Sequence, residues 1–219
     1  MCLQSFASGG ISIQGTRIIY PQNSRQESIS VRNSSSTDSF LVQSWVEDAE
    51  GKKSRDFVVT PPLYLSNPYN ENTLRITFTG NPGENDKESL YYFIAKAIPS
   101  IGNENKDGQS ADKATIRIAA ATRIKLFVRP DGLTFPLNKA PSSLKFRRAG
   151  KQLEISNPSP YYMTLTDIKI GGKPLKGVMV SPKSSATVLL PENGGSSITF
   201  NTINDYGALT SPVTAAINF

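Results

Sequence analysis

The stretch TRIKLFVRPDG, residues 122–132, combines the pattern of a buried β-strand with three cationic side chains. Its apolar residues suit a strand inside a sheet, and Pro130 ends that strand because proline has no backbone N–H to donate to a ladder. The cations are Arg123, Lys125 and Arg129. A strand whose end opens into a cleft where an anionic group docks would account for them.

The segment RPDGLTFP, residues 129–136, has the chemistry of turns, and strand patterns lie on both sides of it. Before it, about seven segments separated by turn signals match the strand number of an immunoglobulin-like sandwich. After it the strand pattern restarts over a shorter length. We therefore predict an all-β protein made of a signal remnant or disordered terminus (1–9), an N-terminal immunoglobulin-like domain (10–130), a hinge (131–136) and a C-terminal immunoglobulin-like domain (137–219).

Four segments of the first half carry the strand predictions that matter most. Alternation predicts one strand over 11–20 and a long strand over 115–130. The segment 57–65 is interrupted by Pro61-Pro62, which is compatible with a strand only at an edge or a crossover. The segment 89–98 is a further strand candidate, although its periodicity does not exclude a helix.

The composition excludes several classes of site. The 219 residues hold 24 basic and 18 acidic side chains, a net charge of +6, but the cations are scattered and no nucleic-acid-reading motif is present. With one cysteine and no histidine, neither a Cys/His zinc site nor a Ser-His-Asp or Cys-His unit can be assembled from these residues. We predict no catalytic residues, no metal site, no cofactor and no nucleic-acid partner. No apolar run approaches the ~20 residues that span a membrane.

The first residues, MCLQSFASGG, resemble the end of a secretion signal. Ser5-Phe6-Ala7 has the small-x-small pattern of a signal-peptidase site, without the charged start and apolar stretch of a full signal. We interpret residues 1–8 as a remnant of such a signal or an artefact of cloning. An ordinary frayed terminus is the alternative.

Ten blocks, spread in order from Gly10 to about Thr214, resemble the periplasmic pilus-assembly chaperones of the chaperone-usher pathway, the PapD-like family, and its type 1 fimbrial members in particular. The segment DKESLYYF followed by AIP resembles the family signature, with a departure at Ile94, near which the family usually has asparagine. The blocks are GTRIIYP (15–21), SWVEDAEGK (44–52), FVVTPPL (57–63), NTLRI (72–76), DKESLYYF (86–93), AIPS (97–100), TRIKLFVRP (122–130), LKFRR (144–148), NPSPYYMTL (157–165) and TINDYGALT (202–210).

This resemblance implies a fold and two sets of charged site residues. It implies two immunoglobulin-like domains set at an angle, with a cleft between them. Arg17 and Lys125 match the family's pair that binds the C-terminal carboxylate of a pilin subunit. Glu88, Arg129 and Asp205 match a charged cluster that sets the angle between the domains.

The resemblance also implies a strand that is lent to another protein. Ile116, Ile118 and Ala120 match the edge strand that the family inserts into the open groove of a subunit, and their spacing of two puts them on one side of a strand. Lys125 has the opposite parity and would face the other way in a flat strand. A bulge or strong twist between residues 121 and 124 is one way to resolve this difference.

The implied function is that of a chaperone rather than an enzyme. It would bind pilus subunits in the periplasm by donor-strand complementation, stabilise them and deliver them to an outer-membrane usher; when free, it could self-associate through the donor edge. The alternative is an extracellular adhesin or pilin-like β-sandwich that binds carbohydrate. A glycosidase using Glu47 with Asp48, or Asp86 with Glu88, is disfavoured because neighbouring carboxylates on a strand point opposite ways and the second pair sits by a turn.

Overall fold

The computed structural model describes residues 9–81, 85–100, 118–190 and 195–218. Spatial contacts between residues divide the chain into two compact units. Unit 1 comprises Met1–Tyr20, Ser24–Asn81 and Leu90–Leu126, and unit 2 comprises Pro21–Asn23, Pro82–Ser89 and Phe127–Phe219. The predicted all-β class is confirmed, while the predicted limits of the domains and the hinge at 131–136 stay predictions. The leader predicted at residues 1–8 and the donor residue Ile116 lie outside the described residues.

The strands of the first half form two sheets. One sheet has the order β1-β3-β7-β5 and the other has the order β2-β9-β8-β4-β6. The strands are β1 (Ile11–Ile13), β2 (Arg17–Pro21), β3 (Glu27–Asn33), β4 (Phe40–Glu47), β5 (Phe57–Thr60), β6 (Leu63–Ser66), β7 (Glu71–Phe78), β8 (Ser89–Pro99) and β9 (Ala120–Arg129).

Alternating apolar side chains form the core between these sheets. On β3, Ile29 and Val31 are buried, while their neighbours at 28 and 30 are not. Leu74 on β7 lies directly opposite Ile29 and is fully buried. This period of two is the alternation that the sequence shows, because successive side chains of a strand point to opposite faces.

Two predicted strands are divided where the chain moves from one sheet to the other. The prediction of one strand over 11–20 is wrong: β1 pairs with β3, whereas β2 lies beside β9 in the other sheet. Gly15 between them has a φ of 109°, a conformation that glycine adopts without steric strain. The break predicted at Pro61-Pro62 is confirmed, with β5 and β6 in different sheets and the Thr60–Pro61 peptide bond cis.

The strand predicted over 89–98 is confirmed, because β8 pairs with β4 along that segment and no helix forms there. The strand predicted over 115–130 begins later, at Ala120. Residues 118 and 119 are not in a strand, and residues 115–117 lie outside the described part of the chain.

The second half forms a further β-structure with its own core. Its strands follow the order β13-β12-β16-β17-β10-β11-β15, with β14 also paired to β12, and β10 and β17 run parallel. Phe146 and Phe200 face each other in the core, with ring centroids 5.3 Å apart. The strands are β10 (Lys145–Ala149), β11 (Gln152–Asn157), β12 (Met163–Ile170), β13 (Lys173–Pro174), β14 (Val178–Val180), β15 (Ser184–Leu189), β16 (Ser197–Thr202) and β17 (Val213–Asn218).

The short helical segment before β10 was not predicted from the sequence. A 3₁₀ turn over Leu137–Lys139 continues into α1, the four-residue helix Ala140–Ser143, which has a proline in its first turn. Ala140 is fully buried and anchors this segment to the core of unit 2. Among the described residues, no helix is long and apolar enough to cross a membrane.

The same asparagine arrangement occurs in both units. Asn33, the last residue of β3, and Asn157, the last residue of β11, are both buried. The amide nitrogen of each donates to three backbone carbonyl oxygens, and its amide oxygen accepts the backbone N–H of the residue two positions later. Each asparagine therefore ties the end of its strand to neighbouring loops.

Candidate functional site

The first residues of β9 form an exposed segment. Residues 120–123 are all exposed, and Ile118 just before them is 75% exposed. We call residues 120–123 the exposed segment of β9. Of the predicted donor residues, the structure therefore describes Ile118 and Ala120, and both side chains face solvent.

One edge of this segment has no neighbouring strand among the described residues. β9 lies between β2 and β8, but β2 has five residues and β9 has ten. Gln22, the residue after β2, donates its backbone N–H to the carbonyl oxygen of Arg129 at 2.8 Å, so β2 ends level with the end of β9. At ~3.3 Å per residue, β2 is long enough to cover the second half of β9 only.

The alternation of β9 explains why a strand with a buried face carries three cations. Ile124, Leu126 and Val128 are buried in the core. Arg123, Lys125 and Arg129 occupy alternate positions and keep part of their surface exposed, while Phe127, which shares their parity, is buried. Ile118 and Ala120 have the parity of the core-facing residues, so the opposite parity of Lys125 fits ordinary strand alternation. The bulge or twist suggested between residues 121 and 124 stays a prediction.

The structure brings the predicted anchor residues together. Arg17 is the first residue of β2, Lys125 lies on the neighbouring strand β9, and both are partly buried. The pKa of the Lys125 ammonium is lowered, first by burial and then by the positive charge of Arg17. Two cations held near each other with reduced hydration form a place where an anion is favourable. The assignment of a carboxylate to this place stays a prediction.

The predicted charged cluster also forms, and all three of its residues belong to unit 2. Arg129 donates from Nε to Glu88 Oε1 at 2.7 Å and from its two Nη atoms to Asp205 at 2.7 and 2.8 Å. The second Glu88 oxygen accepts the backbone N–H of Tyr162 at 2.7 Å. The guanidinium is thus bound in two directions, which fixes the last side chain of β9.

Burial controls the electrostatics of this cluster. Glu88 is only 3% exposed, and its pKa is raised by desolvation, against which the charge of Arg129 and the Tyr162 N–H act. Desolvation also disfavours the charged Arg129, but the hydrogen bonds to Asp205 and the negative charge of Glu88 raise its pKa overall. The role predicted for the cluster in setting an angle between domains stays a prediction.

A contact network around Arg123 was missed from the sequence. The guanidinium carbon of Arg123 lies 3.4 Å from the centroid of the Tyr92 ring, and its Nε lies 3.3 Å from Glu47 Oε2. The other Glu47 oxygen accepts the indole N–H of Trp45 at 3.0 Å. Alternation alone indicates that Arg123 shares a face with Lys125, but no sequence signal places Tyr92 and Glu47 beneath it.

The carboxylate pairs considered for glycosidase chemistry have other partners. Glu47 binds Trp45 and Arg123, while Asp48 accepts the backbone N–H of Lys52 at 2.8 Å in the following turn. Asp86 pairs with Lys183, and Glu88 with Arg129. Each carboxylate in these pairs has its own hydrogen-bond donor, which does not favour the acid and base roles that hydrolysis requires.

Comparisons with known proteins agree with this architecture. Two family descriptions match the chain: "Pili and flagellar-assembly chaperone, PapD N-terminal domain" over residues 10–134 and "Pili assembly chaperone PapD, C-terminal domain" over residues 139–214. The "Probable fimbrial chaperone protein ElfD" of Escherichia coli strain K12 is 44% identical over 212 residues, which cover 95% of this chain and 88% of ElfD.

Solved structures show the same similarity. The crystal structure of the periplasmic chaperone SfaE is 41% identical, with a TM-score of 0.80, and the match covers 95% of this chain and 100% of that one. The structure of the Salmonella enterica SafA pilin in complex with the SafB chaperone gives a TM-score of 0.83 at 29% identity, covering 94% of this chain and 96% of that one.

Proposed function

The chain belongs to the PapD family of pilus-assembly chaperones, and on this premise we propose that it binds pilus subunits in the periplasm by donor-strand complementation, stabilises them and delivers them to an outer-membrane usher. The family membership makes it a fimbrial chaperone. The donated strand, the usher and the periplasmic location are proposed here in addition to the family membership.

The observation that carries the proposal is the exposed segment of β9 with Ile118 beside it. A strand edge with unpaired N–H and C=O groups is a template for pairing with another chain, and proteins usually cover such edges. Here a large apolar side chain, 75% exposed, stands directly before that edge. A second protein that pairs with the edge would bury this side chain.

The chemistry of a lent strand suits these residues. A subunit that lacks one strand of its sandwich has an open groove, and an inserted strand supplies ladder hydrogen bonds and every second side chain. Burying one isoleucine contributes about 1.5–3 kcal/mol, so Ile116 and Ile118 would dominate the apolar contribution. Ala120 offers less area, so we expect a shallower pocket or a bulkier subunit residue opposite it.

The cation pair would fix the position of the subunit along the strand. A β-ladder can shift by two residues with the same side chains facing the groove, whereas an ion pair at one end allows one register. From Ile118 to Lys125 is seven steps, or about 23 Å of extended strand. A terminal carboxylate bound by Lys125 and Arg17 would receive charge-assisted hydrogen bonds, which are about twice as strong as neutral ones.

The relatives support the partner and the compartment. SafB, to which the chain is similar, is in complex with the SafA pilin in its solved structure, and SfaE is described as periplasmic. We therefore assign pilus subunits as the partner and the periplasm as the location. In the absence of a subunit, the same edge would pair two copies of this chain.

Co-expression with fimbrial subunits tests the proposal. We expect a one-to-one complex by size-exclusion chromatography with light scattering, and aggregation or degradation of the subunit when it is expressed alone. A subunit that folds and stays soluble to the same extent without this chain would overturn the chaperone function.

A further inference from the structure

Beyond its pairing with β8, the exposed segment of β9 has little to hold it to the sheet. Residues 119–121 are three alanines, which favour strands weakly and offer small side chains for packing. Residues 120–123 are exposed on this stretch, and the first buried side chain is Ile124. Such a strand end opens easily unless a side chain fastens it.

Arg123 provides that fastening across three strands. Glu47 on β4 and Tyr92 on β8 are directly opposite each other in the antiparallel ladder, so both side chains are on one face. Arg123, from β9, lies over the Tyr92 ring at 3.4 Å and reaches Glu47 at 3.3 Å. Its Nη2 lies 4.0 Å from where a Cβ on Gly51 would stand, so the side chain extends as far as the turn after β4.

The far end of this contact is itself held in place. Trp45, two residues before Glu47 on β4, donates its indole N–H to Glu47 Oε1 at 3.0 Å. The backbone of Glu47 also forms a bridge to Lys53 beyond the turn. Arg123 is therefore attached to a fixed part of the sheet rather than to a mobile surface side chain, which increases what its contacts contribute.

We propose that Arg123, held by Tyr92 and Glu47, is a positioning residue that keeps the exposed segment of β9 in strand conformation so that it can pair with a subunit. The Arg123 guanidinium points across β8 toward β4, whereas Arg17 is on β2 at the other side of β9, so Arg123 does not act as a third anchor for the carboxylate. The effect on subunit binding rests on the proposed function. The ordering of the exposed segment in the free protein does not depend on a subunit.

Single-residue amide exchange by NMR on the full-length free protein tests this ordering. Of the Thr122 and Arg123 amides, the one that pairs with β8 should exchange about tenfold faster in Arg123→Met, because a cation–π contact and a partly exposed ion pair are lost. Arg123→Lys, which keeps a cation over the ring, should restore slow exchange. Arg75→Ala, which removes an exposed arginine from β7 in the other sheet, is the matched control and should change neither amide.

A double-mutant cycle separates this role from general stability. Tyr92→Leu should raise the same exchange rates, and the combination with Arg123→Met should add little, because both remove one contact. The co-expressed subunit should bind Arg123→Met about tenfold more slowly, with the thermal midpoint of the free chain nearly unchanged. If Arg123→Met destabilises the whole protein, the amide exchange rates of Arg123→Lys and Tyr92→Leu are compared instead. The proposal predicts slow exchange in Arg123→Lys and faster exchange in Tyr92→Leu.

Two failures are distinguishable. Unchanged exchange at Thr122 and Arg123 in both Arg123→Met and Tyr92→Leu would overturn this inference and leave the proposed function intact. Altered exchange together with normal subunit binding would also overturn it, because the ordering would then have no consequence for pairing. A chain whose Lys125→Ala variant binds subunits normally would instead overturn the anchor of the proposed function.

Discussion

At the scale of single residues, Lys125 occupies a position that is unfavourable for folding. It is partly buried beside Arg17, and both burial and the neighbouring charge lower its pKa. A charged group in such surroundings destabilises the folded state relative to an apolar group of similar size. Residues of this kind are expected where binding, rather than stability, determines the side chain.

Replacement of Lys125 by Met should therefore separate binding from stability. We expect the variant to unfold at the same temperature as the wild type or higher, because a desolvated cation beside Arg17 is removed. Subunit affinity should fall about 10–100-fold, the value of one charge-assisted hydrogen bond or more. Calorimetry and subunit titration measure the two effects.

Lys145→Met, at an exposed position on β10, is the control and should leave both quantities unchanged. A Lys125→Met variant that melts well below the wild type would show that this lysine stabilises the fold. Unaltered affinity would show that it does not contact the subunit.

Arg129 has the opposite character, since its charge stabilises the fold. Arg129→Ala would leave the Glu88 carboxylate, 3% exposed, without its guanidinium, and we expect the free energy of unfolding at pH 7 to fall by about 3–5 kcal/mol. Burial raises the pKa of Glu88, so the neutral acid, which needs no cation, is reached as the pH falls through that pKa. The deficit should therefore be smaller at pH 5 than at pH 7.

Urea unfolding at the two pH values measures this difference. The exposed pair of Arg147 with Glu154 offers the control, because Arg147→Ala should cost no more than about 1 kcal/mol and show little pH dependence. A cost at position 129 as small as that at position 147 would refute the stabilising role of the cluster.

At the scale of elements, β9 serves two purposes along its length. Its second half contributes Ile124, Leu126 and Val128 to the core, while the exposed segment and Ile118 contribute nothing to it. The two groups of residues should therefore respond differently to mutation: changes at Ile124, Leu126 and Val128 affect folding, and changes at Ile118 or in the exposed segment affect pairing.

Replacement of Ile118 by Asp tests this division. We expect unchanged stability of the free chain, because the side chain is 75% exposed, and at least about tenfold weaker subunit binding, because an acid cannot enter an apolar groove without a large desolvation cost. Leu189→Asp is a closely matched control, since Leu189 on β15 is 74% exposed. Equal subunit binding by the two variants would contradict the donor role of Ile118.

The strands of this fold could be predicted from local patterns, but their partners could not. The segment 89–98 was identified as a strand candidate, which is β8, and Pro61-Pro62 marked a real crossover. The break at Gly15 was missed because a single glycine inside an alternating segment does not distinguish a crossing between sheets from a continuous strand. Contacts such as Arg123 on Tyr92 depend on strands distant in sequence, which local patterns do not pair.

The site residues were predicted from the family resemblance rather than from the pattern. Without the resemblance, the sequence pattern indicates only that Arg17 and Lys125 are charged residues on two separate strands. Nothing in their spacing predicts that they lie close together. The alternation of Lys125 and Arg129 with Ile124, Leu126 and Val128, by contrast, places the cations on the face opposite these core residues, although the buried Phe127 shares the parity of the cations.

At the scale of the whole molecule, each unit uses the same buried asparagine. Asn33 and Asn157 each donate to three backbone carbonyl groups at the end of a strand. Removing either amide takes a hydrogen-bond donor away from three backbone carbonyl oxygens at once. We expect Asn33→Ala and Asn157→Ala each to lower the free energy of unfolding by about 2–4 kcal/mol.

Denaturant unfolding of the two variants checks this prediction. Asn201→Ala, whose side chain donates to a single carbonyl at 2.7 Å and is only partly buried, should cost distinctly less. A cost at Asn33 and Asn157 no greater than at Asn201 would mean that these amides are not what ties the loops to the strands.

The most direct measurement of the central claim is hydrogen exchange, by mass spectrometry, of a peptide that contains residues 118–123, in the free chain and in its complex with a subunit. If β9 is lent to the subunit, the amides of this peptide that point to its open edge exchange rapidly in the free chain and become protected by at least about a hundredfold in the complex. A stable complex in which this peptide exchanges as fast as it does in the free chain would contradict the account.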